Sequence, residues 1–244
     1  MTLYFIGLGI GDEKDISLKG LEAVKSCSNI YLENYTSVLQ CSKENLEKLY
    51  GKKIILADRE IVEKKPEHTI LKHAKKENTA FLVVGDPMCA TTHIDLMLRA
   101  KKENIPIKVI HNASIISAVG ITGLEIYKFG KTTSIPFENK DVKAPYNVLI
   151  DNLEKGLHTL FLLDLNPKDK KFLTVKKAIK YLEKQGLTKD TKILACSGIG
   201  SDYQTIKYGK PDILKDIDFK KPPYCLIIPA KLHFMEEEAL KQYE

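Results

Sequence analysis

The chain opens on an unbroken apolar run, Leu3 to Ile6, that ends in the glycine-spaced turn GLGIG. A run this short, closed by glycine, predicts a strand. Behind Ser17, a residue type that caps helix starts, Leu18, Leu21 and Val24 recur at helical spacing and predict a helix from about Leu18 to Cys27. NIYLE predicts a second strand. A polar helix around Lys43 to Tyr50 leads to KIILA, a helix around Thr69 to Glu77 leads to AFLVVGDP, and one around Ile94 to Asn104 leads to IKVIH. Strands alternating with helices imply a mostly parallel sheet with helices on both faces. AFLVV has no polar alternation and belongs at the centre of that sheet, buried on both sides.

The pattern changes near Asn112. SIISAVGITGLEIYKFG, rich in small residues with Gly120, Gly123 and Gly130, reads as a helix leading out of one unit. Beyond it, TTSIPF, HTLFLLDL, KILACSGI, QTIKYG and YCLIIPA predict strands, with helices around Tyr146 to Lys155, Thr174 to Gln185 and Phe234 to Tyr243. QTIKYG, beside Gly209 and Pro211, reads as an antiparallel strand. The expectation is an α/β chain of two domains, 1–112 with a mostly parallel sheet and 113–244 with a mixed one, packed around a cleft that holds the active site.

Composition narrows the class of function. A length of 244 residues with 43% hydrophobic and 29% charged residues suits a soluble globular protein. No apolar stretch reaches the roughly 18 residues of a membrane span, and no signal peptide is read ahead of the first strand. Cys27, Cys41, Cys89, Cys196 and Cys225 are scattered without a C-x-x-C pair, which points to a reducing cytoplasm and away from disulfides or zinc. The net charge of +6 comes from lysines spread along the whole chain. With no Trp, and no basic run interleaved with Tyr, a direct nucleic-acid partner is not expected.

Ligands of open α/β sheets bind beyond the carboxyl ends of strands, which directs attention to GLGIGD, GDPMCATTH, Asn112 to Ile115, and Leu163-Asp164. The first differs from the dinucleotide fingerprint, since G-x-G-x-G replaces G-x-G-x-x-G and Asp12, Glu13 and Asp15 would repel a pyrophosphate. Two readings stand: a turn beside a small neutral or cationic ligand, or glycines that only let the chain turn. Asp86 could meet an adenosine hydroxyl, an amine or a cation, although Gly-Asp-Pro is also a common turn and Thr91 or Thr92 a common cap. His68 and His73 are not on one helix face, and His93, His111, His158 and His233 lie near no Cys or carboxylate pattern, so no metal site is expected and most are read as core or surface. Without a G-K-[ST] ending or a G-x-S-x-G elbow, phosphate-loop and serine-nucleophile chemistry drop out. A cleft of backbone, small and apolar groups with one or two carboxylates suits methyl transfer from a sulfonium, which needs alignment more than a metal or a covalent intermediate.

IGLGIGDEKDISLKGLEAV, GDPMCATTH with DLMLRAK, HNASIISAVGITGLEIYKFGKTTSIPF and GLHTLFLLDL together resemble the diphthine synthase family, tetrapyrrole-methylase-like methyltransferases of the diphthamide pathway in archaea and eukaryotes. The likeness runs from Leu3 to about Leu165 and resumes at PPYCLIIPAKLHF. It implies a homodimer that binds S-adenosylmethionine between its domains and releases S-adenosylhomocysteine. The implied acceptor is the amino group of a 3-amino-3-carboxypropyl histidine on elongation factor 2, methylated repeatedly to give diphthine. By position, the implied cofactor contacts are Ile10, Asp86, Cys89, Ser114, Ile115 and Leu163, with Ser197 and Tyr224 from the second domain; no catalytic base is identified. Tyr224 stands where family members carry histidine, Cys89 stands at a valine-like position and reads as pocket wall, and FENKDVKAPYNVLIDN is shortened. Another methylase of this fold, acting on a tetrapyrrole or ribosomal RNA, is the alternative; a non-enzymatic docking module is disfavoured by the acidic turn and missing glycine.

Overall fold

The computed structural model describes residues 1–244. The chain divides into two compact units, Met1–Ile116 and Ser117–Glu244. The first contains β1 (Leu3–Gly7), α1 (Leu18–Ser26), β2 (Asn29–Glu33), α2 (Lys43–Tyr50), β3 (Ile55–Ala57), α3 (Ile70–Ala74), β4 (Thr79–Val83), α4 (Ile94–Lys102) and β5 (Ile107–Ile110), followed by α5 (Ile115–Ala118) at the division. Its sheet has the order β3-β2-β4-β1-β5 and every pair is parallel. β4 is the central strand and all five of its residues are buried, as its unbroken apolar run predicts.

Alternate residues of the pleat feed two cores. Phe5 and Phe81 point into one with Leu96 and Ala100 of α4, whereas Ile6 and Leu82 point into the other with Val24 of α1. The Phe5 and Phe81 rings meet edge to face at 5.7 Å. β1 and β4 are neighbours, yet the helices that follow them cover opposite faces. Their carboxyl ends therefore flank a topological switch point, where ligands enter open α/β sheets.

Two expected helices are shorter. α3 spans only Ile70–Ala74 and ends short of Glu77, and at its start the Thr69 hydroxyl donates back to the Lys65 carbonyl at 2.9 Å instead of capping the helix. The stretch ahead of it coils into a π-helical turn, Glu60–Lys64, and a 3₁₀ turn, Pro66–His68. α4 stops at Lys102, and Asn104 takes a left-handed φ of 57°.

The second unit contains β6 (Thr133–Ile135), α6 (Ala144–Glu154), β7 (Thr159–Leu163), β8 (Leu165–Asn166), β9 (Lys171–Phe172), α7 (Val175–Gln185), β10 (Ile193–Ser197), β11 (Thr205–Gly209), α8 (Pro211–Leu214), β12 (Tyr224–Ile228) and α9 (Phe234–Leu240). The main sheet runs β11-β10-β12-β7-β6 and is mixed: β6 and β7 are parallel, the other pairs antiparallel. β11 is antiparallel to β10, as QTIKYG predicts. β8 and β9 form a separate hairpin. Val175, Ala178, Ile179 and Leu182 bury one stripe of α7 against Phe161, Ala195 and Leu226 of the sheet.

SIISAVGITGLEIYKFG does not form the expected helix. α5 gives way to a 3₁₀ turn, Val119–Thr122, which ends at Gly123 with φ 83°, and a second 3₁₀ turn covers Ile126–Lys128. A left-handed residue cannot continue a helix, and a Cβ at Gly123 would collide with Ala239. Apolar, small-residue composition looked helical; the glycine that ends the turn decided otherwise.

Candidate functional site

The turn after β1 is held by its own carboxylate. Gly9 and Gly85 exchange backbone bonds, with the Gly85 N–H donating to Gly9 O at 2.7 Å and the Gly9 N–H to Gly85 O at 3.3 Å. Gly9 has φ 77°, and a Cβ there would lie 2.6 Å from Asp15 Cβ, so only glycine fits. Asp15 Oδ2 accepts the N–H of Gly11 at 2.7 Å and of Ile10 at 3.3 Å. Amides that would cradle a phosphate in a nucleotide loop are thus occupied by the protein itself. Occupation of these amides by Asp15 excludes a pyrophosphate more firmly than charge repulsion does.

Asn112, just beyond β5, ties this turn down. Its Nδ2 donates to the carbonyls of Gly7 and Asp15, each at 3.0 Å. Asp86, in the turn after β4, does the same for its neighbours. Oδ1 accepts the Met88 N–H at 2.8 Å, while Oδ2 faces His111 Nδ1 at 2.8 Å and accepts the Asn112 N–H at 3.1 Å. Asp86 is 4% exposed. Burial pushes its carboxyl up, but the Met88, His111 and Asn112 donors outweigh burial and hold it below the usual carboxylate range. The carboxylate that faces His111 lies 25 residues away in sequence, which local spacing does not show.

Ile10, Asp86, Cys89, Ser114 and Ile115 thus come together on loops leaving β1, β4 and β5, three adjacent strands. Ile10, Cys89 and Ile115 are half-buried, and Ser114 is buried. Residues 84–93 and 111–116 contain no Lys or Arg. Asp15 and Asn112, which fix these loops, were not singled out from sequence as holding them. Asn112 reaches Gly7 from 105 residues away, a distance that no local spacing reveals, whereas Asp15 meets Gly11 and Ile10 within one turn whose geometry spacing alone does not give.

In the second unit, Leu163 ends β7, Ser197 ends β10 and Tyr224 begins β12. Ser197 pairs with Tyr224, and the pairing of Cys225 with Leu162 sets Leu163 against Tyr224 one place along. The three therefore line up across one end of the sheet. Ser197 Oγ donates to the Lys221 carbonyl at 2.8 Å, and the Tyr224 hydroxyl donates to the Phe219 carbonyl at 3.0 Å. The Tyr224 ring packs on the core of this unit. Asp164, next to Leu163, accepts the N–H groups of Phe137 at 3.0 Å and Leu165 at 2.9 Å.

His158 is a core residue of this unit, fully buried. Its Nδ1 accepts the Ala230 N–H at 2.9 Å, which assigns the proton to Nε2, and Nε2 donates to Glu236 at 2.8 Å. Glu236 is 1% exposed and also accepts from Lys128 Nζ and from the His233 and Glu125 N–H groups. Burial raises the Glu236 carboxyl, but these four donors bring it down to about 2.

Residues 2–212 match the family described as Tetrapyrrole (Corrin/Porphyrin) Methylases, and the chain belongs to that family. Within it, the chain is similar to proteins named for diphthine. It is 46% identical to diphthine synthase of Methanocaldococcus jannaschii, over 98% of this chain and 97% of that one. It is 43% identical to diphthine methyl ester synthase of Saccharomyces cerevisiae, over 99% and 89%. A crystal structure of diphthine synthase superposes with a TM-score of 0.93 at 38% identity, covering 100% of this chain and 96% of that one. The resemblance drawn from the motifs and the expected pair of α/β sheets both hold.

Proposed function

We propose that the chain is an S-adenosylmethionine-dependent methyltransferase of diphthamide biosynthesis, which methylates the amino group of the 3-amino-3-carboxypropyl histidine of elongation factor 2 to give diphthine. The reading rests on similarity to diphthine synthases along the whole chain. The strand-end loops support it chemically. Their turn amides are taken by Asp15, which suits a cofactor without phosphate, and the absence of Lys and Arg from 84–93 and 111–116 suits a cationic sulfonium. When bound, that sulfonium supplies an electrophilic methyl group.

The remaining work falls to the chain. Asp86 holds the backbone of 86–88 and 111–112 in place, so its contribution to cofactor binding is to fix those loops. Ile10, Cys89 and Ile115 offer apolar wall, and Ser114 follows β5 beside them. Leu163, Ser197 and Tyr224 are the proposed contacts from the second unit. Because both of their hydroxyls are committed to the 219–221 loop, Ser197 and Tyr224 offer backbone. That accounts for a tyrosine at a position where relatives were expected to carry histidine. Attack requires a neutral amine, and an apolar wall lowers the pKa of an amine by disfavouring its charged form. Alignment of amine and methyl then supplies most of the acceleration.

A homodimer in the cytoplasm is part of this proposal; no helix is long and apolar enough to cross a membrane. The test is methyl transfer to unmethylated elongation factor 2, with the methylated atoms mapped by mass spectrometry. Methyl groups on the amine alone give diphthine. Relatives named diphthine methyl ester synthase make methylation of the carboxylate the outcome that would correct the product. Transfer to a tetrapyrrole or ribosomal RNA, with none to elongation factor 2, would refute the reading.

A further inference from the structure

The carboxyl ends of β2, β3 and β4 carry a second cluster, joined to the cofactor-side loops by the 84–93 segment. Tyr35 follows β2, and its turn is anchored by buried Glu33, whose Oε1 accepts the Tyr35 N–H at 2.8 Å. His93 closes the loop that begins at Gly85, so one segment carries Asp86 near one end and His93 at the other. The His93 ring is 1% exposed and lies edge to face against Phe81 at 5.0 Å and Tyr35 at 6.4 Å. Tyr35 Oη, His93 Nδ1 and His93 Nε2 are buried without a hydrogen-bond partner. Thr92 and the Pro87 carbonyl come near them, but neither contact has hydrogen-bond geometry. Buried polar atoms without partners are rare in folded proteins.

Arg59 lies over this cluster. Its guanidinium carbon is 5.3 Å from the Tyr35 ring centroid, and its side chain is 67% exposed. The nearest carboxylate, Glu63, is 3.7 Å from Nε, too long for a hydrogen bond, and the other Glu63 oxygen accepts from Thr92 at 3.0 Å. A guanidinium stacked on an aromatic ring with its terminal N–H groups open has the planar fork that grips a carboxylate. Given the proposed function, on which this inference rests, the acceptor side chain carries its carboxylate and its amine on the same carbon. Whatever grips the carboxylate sets the position of the amine.

We propose that Arg59 binds the carboxylate of the acceptor amino-acid side chain, with Tyr35 as the stacking platform that orients Arg59. The subsite belongs to one sheet edge, with β4 shared between it and the cofactor-side loops. The fork recognises a planar anion, and under the proposed function that anion is the carboxylate of the acceptor's amino-acid end group.

The test measures KM and kcat for methyl transfer to elongation factor 2 carrying the unmethylated side chain, with S-adenosylmethionine affinity followed in parallel by calorimetry. Arg59→Ala raises KM for the protein acceptor by at least about tenfold while cofactor affinity stays within about twofold. Arg59→Lys recovers part of the loss, since a point charge keeps the attraction and lacks the fork. Arg59 is exposed, so both variants fold with wild-type melting curves. A wild-type KM in Arg59→Ala, or a parallel fall in cofactor affinity, would overturn the subsite and leave the enzyme's activity standing. An inactive wild-type chain that still binds the cofactor would overturn both the subsite and the proposed substrate.

Discussion

The two units present their candidate residues by different means. In the first, a wholly parallel sheet puts every carboxyl end on one edge, and Ile10, Asp86, Cys89, Ser114 and Ile115 ride on loops beyond it. Those loops are fixed by polar side chains, Asp15 within its own turn and Asp86 and Asn112 across long sequence distances. In the second, Leu163, Ser197 and Tyr224 sit on strands, and β12 runs against β7 and β10 so that its first residue meets their last ones. The ladder already fixes those positions. Polar side chains should therefore matter to ligand binding in the first unit and little in the second.

The largest expected effect separates stability from binding. Glu236 satisfies four donors inside the second unit, at the opposite end of β7 from Leu163. Glu236→Ala strands the buried His158 and removes the partner of half-buried Lys128, and is expected to cost about 3–5 kcal/mol in urea unfolding, with cofactor affinity kept by the folded fraction. Since its folded pKa is depressed to about 2, the stability it contributes is present above the unfolded carboxylate value and is lost as pH falls towards 2. A loss of cofactor affinity in the folded variant would break the comparison.

Two buried histidines sharpen it. Burial depresses both, but His158 has Glu236 to oppose that, whereas His93 is lowered to about 4. The unfolded chain therefore binds a proton that the folded one refuses between about pH 6.5 and the folded value. Stability of the wild type should drop by roughly 3 kcal/mol as pH falls through that window, and His93→Phe should remove most of this slope. An unchanged slope in His93→Phe would show that His93 takes a proton freely when folded.

Asp86→Ala leaves the N–H groups of Met88 and Asn112 without their acceptor, and about 2–3 kcal/mol of stability is expected to go with it. Here binding should fall as well, by at least about tenfold in calorimetry, because the loops that it fixes carry the proposed contacts. Wild-type cofactor affinity in this variant would remove Asp86 from the site. The smallest effect belongs to the second unit. Tyr224→Phe and Ser197→Ala each lose one bond to the 219–221 loop, about 1 kcal/mol, and should leave cofactor affinity within about twofold.

The same contrast governs how much could be read from the sequence. β4 announces itself, since a buried central strand is an unbroken apolar run, and the strand-end turns follow from glycine spacing. The helix expected after Asn112 failed because composition does not reveal that Gly123 takes a left-handed φ. Asp15 was legible as a charge and illegible as a cap, since its role depends on where Gly11 and Ile10 point their amides. The alignment of Leu163, Tyr224 and Ser197 depends on register across three strands, and the Tyr35–His93 contact on packing between residues from different loops. Neither leaves a periodic trace.

The central claim is that this chain methylates the modified histidine of elongation factor 2. The most direct measurement incubates the purified chain with S-adenosylmethionine and unmethylated elongation factor 2 and maps the product by mass spectrometry. The account predicts methyl groups on the amine of the 3-amino-3-carboxypropyl side chain, with matching release of S-adenosylhomocysteine. Elongation factor 2 recovered unmodified while the chain binds the cofactor would contradict it.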